Sequence, residues 1–242
     1  MSSRDEMLGT VRSILKTKEK GAHAAAEPIL PPPLEGVMPL IPPAQLAERF
    51  ELELQGLGCS TYRASTSAEL GDILCSILEQ TKVESVVLSR NPLLSRLQIG
   101  KMLNGRGMRV AAWPTSAEAQ QEGSFFRDKC FAAGAGITGV DFALAETGSL
   151  VLTSATEGSQ LVSLAPPVHI ALYRRSQLRA TLDEVLEHLP VSRDPGQASA
   201  ARSVVFISGT SRTADIEQIL VRGVHGPRTV HAILVEESCR EE

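Results

Sequence analysis

The chain has 242 residues, of which 43% are hydrophobic, 21% charged and 4% aromatic, and its formal net charge is -4. This is ordinary globular composition, long enough to bury a core without disulfides or a structural metal. With a pI near 5.8 and few rings for bases to stack on, it excludes a dedicated nucleic-acid binder, and no apolar run approaches the roughly 20 residues of a bilayer span.

The N-terminus, Met1-Ser2-Ser3-Arg4-Asp5, lacks the apolar core of a secretory signal. Over residues 4–20, Met7, Leu8, Val11, Ile14 and Leu15 fall on one helical face, and Arg4, Arg12, Lys16, Lys18 and Lys20 supply a basic side. The pattern predicts a short amphipathic helix that packs on its own domain or on a partner. Seven of the 14 prolines then lie between Pro28 and Pro43. Proline fixes φ and removes donors, so residues 21–43 read as an extended arm. The division is therefore 1–43, helix and Pro-rich arm, and 44–242, one α/β domain.

From residue 44 helices and strands alternate. Leu46 to Leu54 reads as a helix and Cys59 to Arg63 as a strand. Thr66-Ser-Ala-Glu69 is a capping box that opens a helix carrying Leu70, Ile73, Leu74, Ile77 and Leu78. Ser85 to Ser89 is a buried strand, Pro92 starts a helix through Leu103, and Arg109 to Trp113 is the next strand. A second capping box, Thr115-Ser-Ala-Glu118, opens a helix ending near Ala133. Phe142 to Leu144 and Ser149 to Thr153 are strand-like around a Gly148 turn, and His169 to Tyr173 is a strand. Gln177 to Leu189 reads as a helix, Ser203 to Ser208 as a strand, Ala214 to Val221 as a helix and Val230 to Val235 as the last strand. The alternation predicts an α/β fold with a mostly parallel sheet flanked by helices. Ligands in such sheets sit beyond the carboxyl ends of strands.

Four cysteines, Cys59, Cys75, Cys130 and Cys239, are scattered without any C-x-x-C pair. They read as buried structural thiols in a reducing cytoplasm, with no cluster, metal or other cofactor expected in this chain. None of the five histidines has H-x-x-x-H spacing. Gly134-Ala-Gly136-Ile-Thr-Gly139 spells G-x-G-x-x-G, but a helical stretch precedes it and a strand follows. That is the reverse of a dinucleotide fingerprint, so it reads as a glycine-rich helix-to-strand turn.

Three loops carry candidate chemistry. Glu146, Thr147 and Gly148 sit at a turn between apolar runs. The Glu146 carboxylate there serves as a base or nucleophile, or else satisfies local backbone groups. Ser208-Gly209-Thr210-Ser211-Arg212-Thr213 follows a strand and precedes a predicted helix. Free N–H groups at a helix start, the hydroxyls of Ser208, Thr210, Ser211 and Thr213, and the Arg212 guanidinium suit a small anion. The alternative is an ordinary N-cap beside a solvated Arg212. His225, in the loop before the last strand, is placed to reach the same mouth, though a turn histidine also has structural uses.

Five stretches occur together in order: Gly136-Ile-Thr-Gly-Val-Asp141, Ala145-Glu-Thr-Gly-Ser149, Pro166-Pro-Val-His-Ile170, Ser211-Arg-Thr-Ala-Asp-Ile-Glu217 and Gly223-Val-His-Gly-Pro227. They resemble the LUD-domain family, in its stand-alone lactate utilisation protein C (YkgG-like) branch, over roughly residues 44–236. The resemblance implies the fold shared by ribose-5-phosphate isomerase, glucosamine-6-phosphate deaminase and CoA transferases. It also implies a place in a cytoplasmic three-protein system oxidising L-lactate to pyruvate, with iron–sulfur clusters in the two partner proteins and none here. Arg212 would then hold a carboxylate while Glu146 or His225 meets the hydroxyl. Two other functions remain in view: a self-sufficient enzyme on a sugar phosphate or CoA thioester, with Glu146 as base or nucleophile, and a non-catalytic assembly subunit. A homo-oligomer is also left open.

Overall fold

The structure is a computed structural model that describes residues 4, 6–13, 41–114, 119–189, 203–214, 220–223 and 225–239. The chain divides into two units, Met1–Met38 and Pro39–Glu242. In the first, residues 6–13 form a helix, α1, in which the Thr10 hydroxyl donates to the Glu6 carbonyl at 3.0 Å. Met7, Leu8 and Val11 are exposed on it. The rest of the predicted 4–20 helix and most of the Pro-rich arm lie outside the described residues, as does the capping box at 115–118.

The second unit runs α2 (Leu46–Gly56), β1 (Ser60–Ala64), α3 (Ser67–Gln80), β2 (Ser85–Leu88), α4 (Pro92–Arg96), α5 (Ile99–Gly105), β3 (Arg109–Ala112), α6 (Ala119–Ala132) and β4 (Ala135–Thr138). It continues with β5 (Phe142–Leu144), β6 (Ser149–Thr153), α7 (Ser154–Glu157), α8 (Leu161–Leu164), β7 (Val168–Tyr173), β8 (Leu178–Arg179), α9 (Leu182–His188), β9 (Val204–Ile207), β10 (Arg212–Ala214), β11 (Leu220–Arg222) and β12 (Thr229–Val235). Six strands form one sheet in the order β1-β12-β7-β4-β2-β3, every neighbouring pair parallel. Among the described residues no helix is long and apolar enough to cross a membrane.

The central strands are apolar without alternation because both faces are covered. On one face α3, α4 and α5 bring Leu70, Leu74, Leu94, Ile99 and Leu103 against Leu88, Ile137, Ile170 and Ile233. On the other face Phe50 and Leu54 of α2, with Ala143, Leu150 and Leu152, pack on Ala171, Tyr173, Ala232 and Leu234. Those inner residues of β5 and β6 belong to a second sheet, β8-β5-β6-β9. Phe126 and Cys130 of α6 pack with Val87 and Val162. Thr66 caps α3 as the sequence predicts, its Oγ1 accepting from the Glu69 N–H at 3.1 Å, while Glu69 Oε2 reaches one residue further back than a capping box requires and accepts from the Ser65 N–H at 2.7 Å.

Four local expectations change. Gly134 to Gly139 is not a turn: residues 135–138 are β4, fully buried at the sheet centre. Its glycine admits a neighbour, since a Cβ on Gly136 would lie 1.8 Å from the Val162 carbonyl oxygen of α8. The helix expected from Pro92 to Leu103 breaks in two at Gln98, which has φ 49. The helix expected from Gln177 starts only at Leu182, because Leu178 and Arg179 first pair with Ala143 and Leu144. Thr181 caps it, its hydroxyl accepting from the Glu184 N–H at 3.4 Å. Finally, of the helix expected from Ala214 to Val221 the described ends, Ala214 and Leu220–Val221, are strand, and residues 215–219 lie outside the described residues. Arg212, Thr213 and Ala214 pair antiparallel with Arg222, Val221 and Leu220.

Candidate functional site

The residues singled out by sequence gather where β1 and β12 begin. Gly148 has φ +63, and a Cβ there would lie 2.4 Å from the Leu54 backbone nitrogen, so only glycine lets this turn rest on α2. Thr147, Ser149 and Ser208 are joined through their hydroxyls, at 2.8 Å and 2.6 Å. Arg212 donates to the Leu57 carbonyl at 2.6 Å and so caps the end of α2. Its place is in a strand pair, and among the described residues no helix start lies beside it. Thr213 lies in the same strand. Ser211 holds the start of β12, its N–H donating to the Pro227 carbonyl at 3.0 Å. His225 is exposed in the loop before β12.

Glu146 faces elsewhere. Its Oε1 accepts from the Leu182 N–H at 2.9 Å, at the first turn of α9. The structure thus brings Thr147, Gly148, Ser208 and Arg212 together around the end of α2, and turns the Glu146 carboxylate away from Arg212 to a backbone group.

The opposite edge has different chemistry. After β2 the chain moves outward to β3, and after β4 it moves the other way, to β7 and then β12. The sheet therefore has its switch point between β2 and β4, where a crevice opens beyond the strand ends. A cavity of about 240 Å³ lies there, lined by Asn91, Pro92, Leu93 and Arg96 after β2, Val140 and Asp141 after β4, Thr156 of α7, and Arg174, Ser176 and Gln177 after β7.

Each polar group has a local reason for its position. Asn91 caps α4, its Oδ1 accepting from the Leu93 N–H at 3.0 Å, while its Nδ2 donates to Glu157 Oε1. Gly139 makes this approach possible, because a Cβ would meet the Asn91 amide at 2.2 Å. Asp141 accepts from the Thr153 N–H at 2.6 Å and from the Thr156 hydroxyl at 2.9 Å. Gln177 Oε1 accepts from the Arg174 N–H at 2.9 Å, and its Nε2 donates to the Val140 carbonyl.

These bonds leave some capacity unused. Glu157 is fully buried, and its Oε2 has no hydrogen-bond partner among the described residues. Burial pushes its carboxyl up to about 7, opposed by the neighbouring Ser89 and Asn91 and reinforced by the Asp141 charge. Burial also lifts Asp141 above the usual carboxylate range, against its bonds from Thr156 and Thr153. Arg174 Nε is buried and has no partner among the described residues, and its Nη1 lies 3.7 Å from the exposed Glu237. Arg96 has no ion pair among the described residues. The crevice is thus lined by two arginines, one carboxyl group of raised pKa, Asp141, and several neutral donors, with a second such carboxyl, Glu157, behind Asn91. It can bind a small anion and exchange a proton with it.

The buried histidines are separate. His169 Nε2 lies 2.9 Å from the Thr138 hydroxyl, and desolvation lowers its pKa to about 3. Desolvation lowers His231 to about 4. Both are neutral at physiological pH. All four cysteines are free, and burial pushes Cys59 and Cys130 up to about 11, which leaves them poor thiolates. Among the described residues no group of three metal-ligating side chains is assembled.

Fold and crevice together define an α/β protein with a parallel sheet and a polar switch-point site. The chain belongs to the LUD domain family, whose sequence model matches residues 47–235. It is 32% identical over 162 residues to lactate utilization protein C of Halalkalibacterium halodurans, covering 67% of each chain. It is 34% identical over 153 residues to the protein of that name from Exiguobacterium sp., covering 60% of this chain and 65% of that one. YkgG of Escherichia coli matches at 28% over 78% of each. A crystal structure of a DUF162 family protein from Deinococcus radiodurans has the same fold, with a TM-score of 0.56 at 24% identity, covering 81% of this chain and 99% of that one.

Proposed function

We propose that this chain is a component of a cytoplasmic L-lactate utilisation system that oxidises L-lactate to pyruvate together with iron–sulfur partner proteins. The observation that carries this reading is the family match over residues 47–235, joined to relatives named lactate utilization protein C. The residues fit a component more than a self-sufficient oxidoreductase. Oxidation of a hydroxy acid needs an electron carrier, which in this reading the iron–sulfur partners supply, while the switch-point crevice supplies cationic and acid–base groups. A self-sufficient thioester or sugar-phosphate enzyme built on Glu146 gains no support, since that carboxylate is engaged by a helix N–H.

The test is genetic and biochemical. A strain lacking the chain should lose growth on L-lactate as sole carbon source and regain it with the wild-type gene. The tagged chain should co-purify proteins with iron–sulfur absorbance. Unimpaired growth on lactate would overturn the reading. Retained partner binding with growth insensitive to every crevice substitution would assign an assembly subunit instead.

A further inference from the structure

We propose that the crevice at the carboxyl ends of β2, β4 and β7 binds a short monocarboxylate with an oxygen on the neighbouring carbon, a 2-hydroxy or 2-oxo acid. Arg174 and Arg96 hold its carboxylate, and Asp141 and Thr156 meet its second oxygen. This deepens the lactate reading and rests on it for the identity of the acid, though not for the place or the chemical class.

Place follows from topology and from unmet bonding. The cavity sits at the switch point, between the loops that leave β2 and β4 in opposite directions. Among the described residues the buried Nε of Arg174, which lines the cavity, has no hydrogen-bond partner. A buried group of that kind is costly unless something completes it. Arg174 is also held in position through its backbone, whose N–H donates to Gln177 at 2.9 Å, and Gln177 in turn reaches Val140.

Chemical class follows from size and charge. At about 240 Å³ the cavity is smaller than the roughly 300–1,000 Å³ usual for drug-sized ligands, so it suits a molecule of a few carbons. Two guanidinium groups face one carboxylate, Asp141, with a second carboxyl, Glu157, behind Asn91. The balance favours a single negative charge. A phosphate dianion would meet the Asp141 carboxylate that lines the cavity, so the crevice disfavours sugar phosphates and the phosphates of coenzyme A. A carboxylate acceptor beside a Thr hydroxyl suits a ligand oxygen in either state: Asp141 accepts from a hydroxyl, and for a carbonyl the single Thr156 proton turns from Asp141 to the ligand.

The experiment is isothermal titration of the full-length protein with L-lactate, pyruvate, propionate and inorganic phosphate, each variant's fold checked by circular dichroism and melting. Lactate and pyruvate should bind more tightly than propionate, which lacks the second oxygen, and more tightly than phosphate. R174Q should weaken lactate binding roughly tenfold or more, the usual loss for one charge-assisted pair. D141N should erase the preference for lactate over propionate, and R212Q should change nothing. Should R174Q fail to fold, R96Q carries the same test. No heat with either oxygenated acid, tighter binding of phosphate, or unchanged affinity in a folded R174Q would overturn the proposal. The two readings fail separately. A chain required for growth on lactate that binds neither acid keeps the function and loses the site. A chain that binds with this selectivity but is dispensable on lactate keeps the site and loses the function.

Discussion

The two edges of the parallel sheet use similar side chains for different ends. Where β1 and β12 begin, the charges are satisfied by backbone: Arg212 ends α2 at Leu57, and Glu146 starts α9 at Leu182. Where β2, β4 and β7 end, the Nε of Arg174 is buried with no hydrogen-bond partner among the described residues. One hairpin, β5–β6, joins both edges. Asp141 stands at one end of it and Glu146 at the other, five residues on, about 16 Å along an extended strand. A charged residue next to a turn therefore says little until its bonding is accounted for. The hydroxyls of Thr210 and Thr229 at the first edge are also buried without partners among the described residues, so what separates scaffold from site is an unfilled bond on a charged side chain.

The largest expected effect separates the edges through glycine. Gly148→Ala places a Cβ against the α2 backbone at a left-handed residue, and should destabilise by roughly 2–5 kcal/mol. In the protein that remains folded, ligand affinity should be unchanged. Gly139→Ala instead displaces the Asn91 side chain. It should be milder in stability, about 1–3 kcal/mol, yet reduce ligand affinity. Melting curves and titrations of the two variants check this. The same loss of affinity in both would erase the distinction between the edges.

Next in size is a pH effect tied to Glu157. Its pKa is near 7 in the fold against an ordinary 4.5. Below about 4.5 folded and unfolded chains both hold the proton. As pH rises to about 7, the unfolded chain releases it and the folded chain does not, so stability falls across that window and levels off above it. The change is on the order of 3 kcal/mol. His169 and His231 act in the opposite sense: their folded pKa values are depressed, so they remove stability as pH drops below about 6.5. Comparing the wild type with E157Q cancels the histidines. The variant's melting temperature should gain on the wild type between pH 4.5 and 7.5. Two parallel curves would show that Glu157 does not hold its proton, and the charge balance in the crevice would have to be redrawn.

What could be read from sequence follows the range of the contacts. Strands buried on both faces, such as His169–Tyr173 and Val230–Val235, show as continuous apolar runs, and the parallel sheet followed from them. The Thr66 cap is also local. Gly136 reads as a turn residue because its reason, the Val162 carbonyl, lies 26 positions away in the chain. Misreading β4 hid its carboxyl end, and with it Asp141 as a site residue. β10 and β11 are three residues each, too short for any period, and exist by pairing with each other. Glu157 meets Asn91 across 66 positions, and nothing around either residue announces the contact. Arg174 was the accessible one: a charged residue directly after a buried strand, at the edge where such sheets bind ligands.

The smallest effect is also the most direct comparison of the two carboxylates on the hairpin. Glu146→Ala removes an acceptor from the first turn of α9, and loss of such a cap weakens a helix by about 1 kcal/mol. Glu146→Gln keeps an acceptor oxygen and should lose about half of that or less. Neither variant touches the crevice, so lactate titration and growth on lactate should match the wild type, while Asp141→Asn alters both. If Glu146→Gln abolished growth on lactate with its melting temperature intact, a role in chemistry would outweigh a role in capping. The functional edge of the sheet would then be the one where β1 and β12 begin.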